Sequence, residues 1–387
     1  MYVMGRKEID AVAKIINSGK LFRYEPGGQT DRFEKEWARK MGVRYCLANT
    51  SGTISLVCGL AGVGIGPGDE VIVPGYTYIA TALAVLAVGA VPILAEIDES
   101  LTLDPDDFEK KITSRTKAVI PVHMQGLPCA MDRVLQIAKK HGLKVIEDAC
   151  QADGGSFRGQ RLGSMGHAGA NSFNYYKIIS AGEGGALLTS DDKVFERALI
   201  YHDGGTGFFR TRKMHVPVFA GSNFRTNEIA CAILRVQMRR LDGILSALRK
   251  EKNRIVAELK DVPGVRFNRV NDAAGDCAST IAFLFDTRKS AAVFVKKMSA
   301  AGIPGVHSPI DTDKHVYSNW DAVLEQRGDA SEKRNPFRFT ERKLTYSKDM
   351  LPRTLEVLGR TVYVPTHVKH ARKDQDRIIR SVRKSLR

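Results

Sequence analysis

Between residues 50 and 190, short β-branched runs alternate with helical stretches, and this alternation restricts the chain to one class of fold. Residues 51–64 read as helix, 70–74 as strand, 80–88 as helix and 92–97 as strand. Residues 118–123 read as the next strand, 131–141 as helix, 144–148 as strand, and 185–189 close the series. Strands of four to six residues separated by helices predict a doubly wound, mainly parallel sheet. Ligands of such sheets sit beyond the carboxyl ends of the strands, where His123 and Asp148 fall.

At 387 residues the chain is long enough for two or three cores. Composition shifts after a helical stretch over 228–260, and a strand at 279–285 with a helix at 291–301 predicts a smaller α+β unit. The expected division is a large domain over 1–244 and a small one over 245–387. Residues 311–346 are polar and carry no periodic pattern. Residues 71–95 hold no charged residue, a length that could span a bilayer. Pro74-Gly75, Gly89 and Pro92 divide that run into strand, helix and strand, so a buried β-α-β unit is expected rather than a membrane helix. No signal-peptide pattern opens the sequence, and a cytoplasmic protein is expected. The six cysteines are scattered without a Cys-x-x-Cys pair, which argues against a zinc site or a disulfide framework. The net charge of +16 is dispersed, and the basic end at 369–387 has the spacing of an amphipathic helix rather than a nucleic-acid arm.

Three stretches could carry chemistry. Lys177 sits among aromatic and β-branched residues ahead of Gly182-Glu-Gly-Gly185. Burial there would lower the pKa of a lysine and make it a nucleophile, although a lysine on a turn is an ordinary feature. Asp148 ends an apolar strand in Glu147-Asp-Ala-Cys-Gln151, where it could face a buried cation or merely cap the next segment. Asn49-Thr-Ser-Gly-Thr53 enters a helix with small hydroxyl residues, which suits a phosphate and equally a plain helix cap. A phosphate cradle, an acid for a ring nitrogen and a lysine for an aldehyde are together what pyridoxal 5′-phosphate (PLP) requires.

On these residues the chain resembles the DegT/DnrJ/EryC1/StrS family of fold-type-I PLP aminotransferases. Matching stretches are Ser51-Gly-Thr53, Gly68-Asp-Glu-Val-Ile-Val-Pro-Gly-Tyr-Thr-Tyr78, Val122-His-Met-Gln-Gly126, Glu147-Asp-Ala-Cys-Gln-Ala152, Ser172-Phe-x-x-x-Lys177, Gly182-Glu-Gly-Gly185 and Asn223-Phe-Arg225. The resemblance implies that Lys177 holds the cofactor aldehyde and moves the proton, and that Asp148 bonds the pyridinium nitrogen. It places Gln151 near the phenolic oxygen, Tyr78 on the ring face, and Gly52, Thr53 and Ser172 on the phosphate. It assigns Asn223 to the phosphate of the partner protomer, and so implies a homodimer with a shared site. Asn174, Gln125 and His307-Ser-Pro309 depart from the family pattern at positions bordering the substrate. His123, His202 and His307 are candidates to line the substrate pocket, and Phe22-Arg-Tyr24 could reach the acceptor.

The implied reaction transfers an amino group from an amino acid, L-glutamate in the first instance, to a keto or aldehyde sugar of the nucleotide-linked kind used in amino-sugar biosynthesis. A keto-cyclitol or a free keto sugar acid is an alternative acceptor. A dehydratase of the same family would lack Lys177. A regulatory or binding protein that uses the fold without catalysis is the alternative from another class. No metal, nucleic-acid or membrane partner is expected.

Overall fold

A computed structural model describes residues 2–205 and 214–386. Its centre is a seven-stranded sheet built from β1 (Tyr45–Asn49), β2 (Glu70–Pro74), β3 (Val91–Ala95), β4 (Thr116–Val119), β5 (Lys144–Asp148), β8 (Ala168–Ser172) and β9 (Gly185–Thr189). The short hairpin strands β6 (Ser156–Phe157) and β7 (Gln160–Arg161) lie between β5 and β8 in the chain. The spatial order is β1-β9-β8-β5-β4-β2-β3. Neighbours from β8 to β3 pair in parallel, while β9 pairs antiparallel with both β8 and β1. The connection from β8 to β9 holds twelve residues and no long helix, so the chain returns antiparallel instead of crossing over. Lys177 rides on that return.

Every residue of β2, β3, β8 and β9 is buried, as expected for strands covered on both faces. One face packs on the helices Gly52–Val63 and Ala80–Ala87, with Leu56, Leu60, Val85, Ile146 and Leu187 in a common core. The other face packs on Gln29–Met41, Met131–Lys140 and Glu228–Met238, with Phe33, Trp37, Val134, Ile137 and Leu234 between them. Helix Met131–Lys140 shows how the pattern directs this: Met131, Val134, Ile137 and Ala138 recur at helical spacing and are buried, while its lysines face water.

The uncharged run over 71–95 is the expected strand, helix and strand, and among the described residues no helix is long and apolar enough to cross a membrane. The helical stretch over 228–260 is two helices, Glu228–Met238 and Leu241–Leu259. A third core gathers Leu259, Ile281, Phe283, Phe294, Val362, Val364 and Ile379 around the antiparallel pair β10 (Thr280–Leu284) and β11 (Thr361–Pro365). The basic C-terminal stretch is the helix Arg372–Ser385, which buries Ile378, Ile379 and Val382 against that core. All six cysteines are free thiols.

Candidate active site

The carboxyl ends of β1, β2, β4, β5 and β8 open into one cavity of about 370 Å³. Ser51, Gly52 and Thr53 follow β1 and form its floor at a helix N-terminus. The Ser51 side chain accepts from the Ile54 N–H at 3.2 Å, while the first N–H groups of the helix have no intrahelical partner and favour an anion. Gly52 is required by close approach: a Cβ there would stand 2.6 Å from Cys150 Sγ and 2.7 Å from Ser172 Cβ. Gly185 is required for the same reason, since its Cβ would lie 2.3 Å from the Ser51 backbone. The glycine cluster therefore lets β9 pass directly under the helix entry.

Asp148 ends β5 with 5% exposure. Its Oδ2 accepts from the Thr81 hydroxyl at 2.8 Å and its Oδ1 from the Cys150 N–H at 3.1 Å. Among the described residues no lysine or arginine pairs with it, so a buried carboxylate faces the cavity without a cationic partner. Buried charges are normally paired. Lys177, Gln151, Ser172 and the half-exposed Tyr78 line the same cavity. Gln151 is oriented by its Oε1, which accepts from the Gln125 N–H at 3.1 Å. Burial holds the Cys150 thiol well above its ordinary range, so it lines the site as a neutral group.

The three candidate histidines lie elsewhere. His123 is fully buried: its Nδ1 accepts from the Cys129 N–H at 3.1 Å, and its Nε2 meets Glu147 at 3.1 Å. It braces the strand ends and cannot touch a substrate. His202 is also fully buried, with Nε2 3.4 Å from the Arg23 guanidinium. His307 donates from Nδ1 to the Gly305 carbonyl at 2.8 Å and packs on Tyr363, outside the cavity lining. Of the Phe22-Arg-Tyr24 segment, Arg23 is buried on Glu34 at 2.6 Å and Tyr24 donates to Asp203 at 2.6 Å. None of the three borders the cavity. Asn223 is exposed and also outside this lining, bonded through Oδ1 to the Arg225 N–H at 3.2 Å.

Among the lining groups, sequence reasoning placed Asn174 beside the substrate but did not assign Thr81, Glu183 or His315 to the site. Thr81 needed only the helical offset from Tyr78 to be suspected. Asn174 and Glu183 pair across the β8–β9 return, the amide donating to the carboxylate at 2.8 Å. His315 comes from the unpatterned segment and stands with its ring 5.3 Å from that of Tyr78. Burial depresses its pKa, the bond to the Thr312 carbonyl opposes that, and the charge of Lys177 adds to the depression.

An open α/β sheet thus presents a lysine, an acid without a cationic partner among the described residues and a helix N-terminus at its carboxyl edge, and similarity to known transaminases places the chain in the aminotransferase class. The chain belongs to the DegT/DnrJ/EryC1/StrS aminotransferase family, which it matches over residues 3–326. It is 40% identical over 266 residues to the dTDP-3-amino-3,4,6-trideoxy-α-D-glucose transaminase of Streptomyces venezuelae, covering 67% of each chain. It is 35% identical over 319 residues to the dTDP-3-amino-3,6-dideoxy-α-D-galactopyranose transaminase of Aneurinibacillus thermoaerophilus, covering 81% of this chain and 85% of that one. Its fold is similar to the crystal structure of S. venezuelae DesV in complex with a ketimine intermediate, with a TM-score of 0.81 and 29% identity over 98% of this chain and 94% of that one.

Proposed function

We propose that this chain uses PLP to move an amino group from an amino acid, L-glutamate first, to a carbonyl carbon of a nucleotide-linked sugar. The observation that carries the reading is the meeting of the Ser51–Thr53 helix entry, Asp148 and Lys177 around one cavity of about 370 Å³. The donor set fits the cofactor at both ends: a helix N-terminus cleared by Gly52 suits its phosphate, and a buried carboxylate with no cationic partner among the described residues suits its ring nitrogen. When bound, PLP supplies an aldehyde for the amino group and a ring that accepts an electron pair.

The residues divide the remaining work. Asp148, fixed by Thr81 and the Cys150 N–H, would face the ring nitrogen and keep it protonated. Lys177 Nζ would take the proton from the α-carbon of the amino donor and pass it on to the cofactor, and would reverse that transfer with the acceptor. Ser172 and Thr53 add hydroxyl donors at the phosphate end. Tyr78 offers a flat face for stacking. In this reading Asn223 completes the phosphate site of a second protomer, the protein is a cytoplasmic homodimer, and the core around β10 and β11 belongs to a small domain beginning near residue 245. Both relatives named above act on dTDP-linked sugars, which supports the class of acceptor.

The test is spectroscopic. Protein loaded with PLP should show a visible band that bleaches on addition of L-glutamate with release of 2-oxoglutarate. Lys177→Ala should show neither the band of the lysine-bound form nor turnover. A wild-type band that no amino acid bleaches would refute the assignment.

A further inference from the structure

The segment that follows β10 and its helix Arg288–Ala300 returns to the cavity as three single-turn helices, Pro309–Asp311, Asp313–His315 and Tyr317–Asn319. Its backbone pairs with the loop after β2 that carries Tyr78. The Thr77 N–H donates to the His315 carbonyl at 3.0 Å, Ile79 to Lys314 at 2.9 Å, and Tyr317 to Gly75 at 3.0 Å. His315 is thus fixed from both sides at the edge of the site. Two residues before it, Asp313 has φ 42°, a left-handed conformation that non-glycine residues rarely adopt and that clusters at ligand sites.

The imidazole is also fixed in its proton arrangement. Its Nδ1 lies 3.2 Å from the Thr312 carbonyl, which can only accept, so Nδ1 carries the hydrogen of the neutral ring. That leaves Nε2 with a lone pair, and among the described residues it has no hydrogen-bond partner. The groups that act on the ring are Lys177, His307 and the acid Asp313. A neutral ring with a lone pair at the cavity wall offers an acceptor to a donor on the ligand. The free groups of a bound amino acid such as L-glutamate are carboxylates, which only accept. A sugar carries hydroxyl groups, which donate.

We propose that His315 is a specificity-determining residue for the amino acceptor: its Nε2 accepts a hydrogen bond from a hydroxyl group of the sugar. The proposal rests on the reading of the cavity as a sugar-aminotransferase site, and it assigns the residue to one half of the reaction only.

The two halves separate in single turnovers of the holoenzyme followed by the visible band. One reaction uses L-glutamate; the other uses dTDP-3-amino-3,6-dideoxy-α-D-galactopyranose, entering in reverse as the amino donor. His315→Phe keeps a ring and removes the acceptor atom, while His315→Gln keeps an acceptor oxygen. The Phe variant should weaken the sugar reaction about tenfold and leave the glutamate reaction within about twofold, and the Gln variant should recover most of the loss. On the acid side, protonation turns Nε2 from acceptor to donor, so the wild-type sugar reaction should fall there and that of the Gln variant should not. A second probe, dTDP-3-amino-3,4,6-trideoxy-α-D-glucose, lacks the C4 hydroxyl of the first. A loss confined to the first probe assigns the bond to that hydroxyl, and a loss with both assigns it to another. Equal losses in the glutamate and sugar reactions, or no loss in either, overturn the proposal. A wild-type enzyme that bleaches with glutamate and reacts with neither sugar refutes the acceptor class itself, which is a different failure.

Discussion

Strand β5 ends in two neighbouring carboxylates that point to opposite sides of the sheet, because successive side chains of a strand alternate. On one side, Glu147 accepts from the Gly163, Met165 and Gly166 N–H groups at 2.9, 2.6 and 2.7 Å and from His123 at 3.1 Å. Every lone pair has a protein donor, and the group is sealed at 0% exposure. On the other side, Asp148 has two donors and an open cavity in front of it. Two residues of the same charge, one peptide bond apart, serve different ends: the saturated one holds the chain together, and the unsaturated one is kept for a ligand.

The sharpest way to break that contrast is to remove each carboxylate. Glu147→Ala leaves three buried N–H groups and an imidazole without their acceptor, and should cost about 3–5 kcal/mol of stability, read as a shift in the denaturant midpoint. Its folded fraction should still bind PLP and show a normal visible band. Asp148→Asn should do the opposite, with a near-normal midpoint and turnover lower by about two to three orders of magnitude. If the stability loss fell on Asp148 and the activity loss on Glu147, the division of labour between the two faces would be wrong. Gly52→Ala is the intermediate case, because its Cβ would press on Cys150 and Ser172, which span both faces of the cradle. It should cost about 1–3 kcal/mol and weaken PLP retention, measured by equilibrium dialysis of the loaded protein.

These contrasts also show which parts of the molecule the residues announce. Strands β2 and β5 fall on the expected bounds, and the helices after β1 and β2 end within a residue or so of expectation, because their apolar runs have a period and their ends carry Ser51, Gly64 or Gly89. Asp148 and the Ser51–Thr53 turn, which line the cavity, were legible because they sit at those ends, and Lys177 because the Gly182–Gly185 cluster follows it. Strand β8 was not, since Ala168-Gly-Ala-Asn-Ser172 has little β propensity. It consists of small residues because a Cβ on Gly59 would come within 3.4 Å of Ala168, and because Gly169 packs on Gly163. His123 misled for a reason of geometry: the sequence places it at a strand end but does not say which face it takes. His315 left no signal at all, because single-turn helices have no period and its placement depends on backbone pairing with residues more than two hundred positions away.

The smallest effect tests whether the core face is as complete as Glu147 suggests. Asp153 is a second carboxylate on that face, fully buried, with Oδ1 accepting from Asn171 at 3.0 Å and Oδ2 without a partner among the described residues. Asn171 in turn accepts from the Trp37 indole at 3.0 Å, so the chain of bonds ends on this acid. Burial raises its pKa well above the ordinary carboxylate range, with the charge of Lys177 and the Asn171 bond opposing in part. A folded state that holds its proton more tightly than the unfolded chain has that contribution in full below about pH 3.9, the unfolded value, and loses it as pH rises toward the folded pKa. The loss can be no steeper than about 1.4 kcal/mol per pH unit for one group. Asp153→Asn keeps the acceptor for Asn171 and removes the titration. Wild type should therefore lose stability relative to the variant as pH rises above about 4, the unfolded value, while turnover at pH 8 stays within about twofold. A stability difference flat across that range would mean that Asp153 is ionised in the fold, and that the core face holds an unpaired charge of its own.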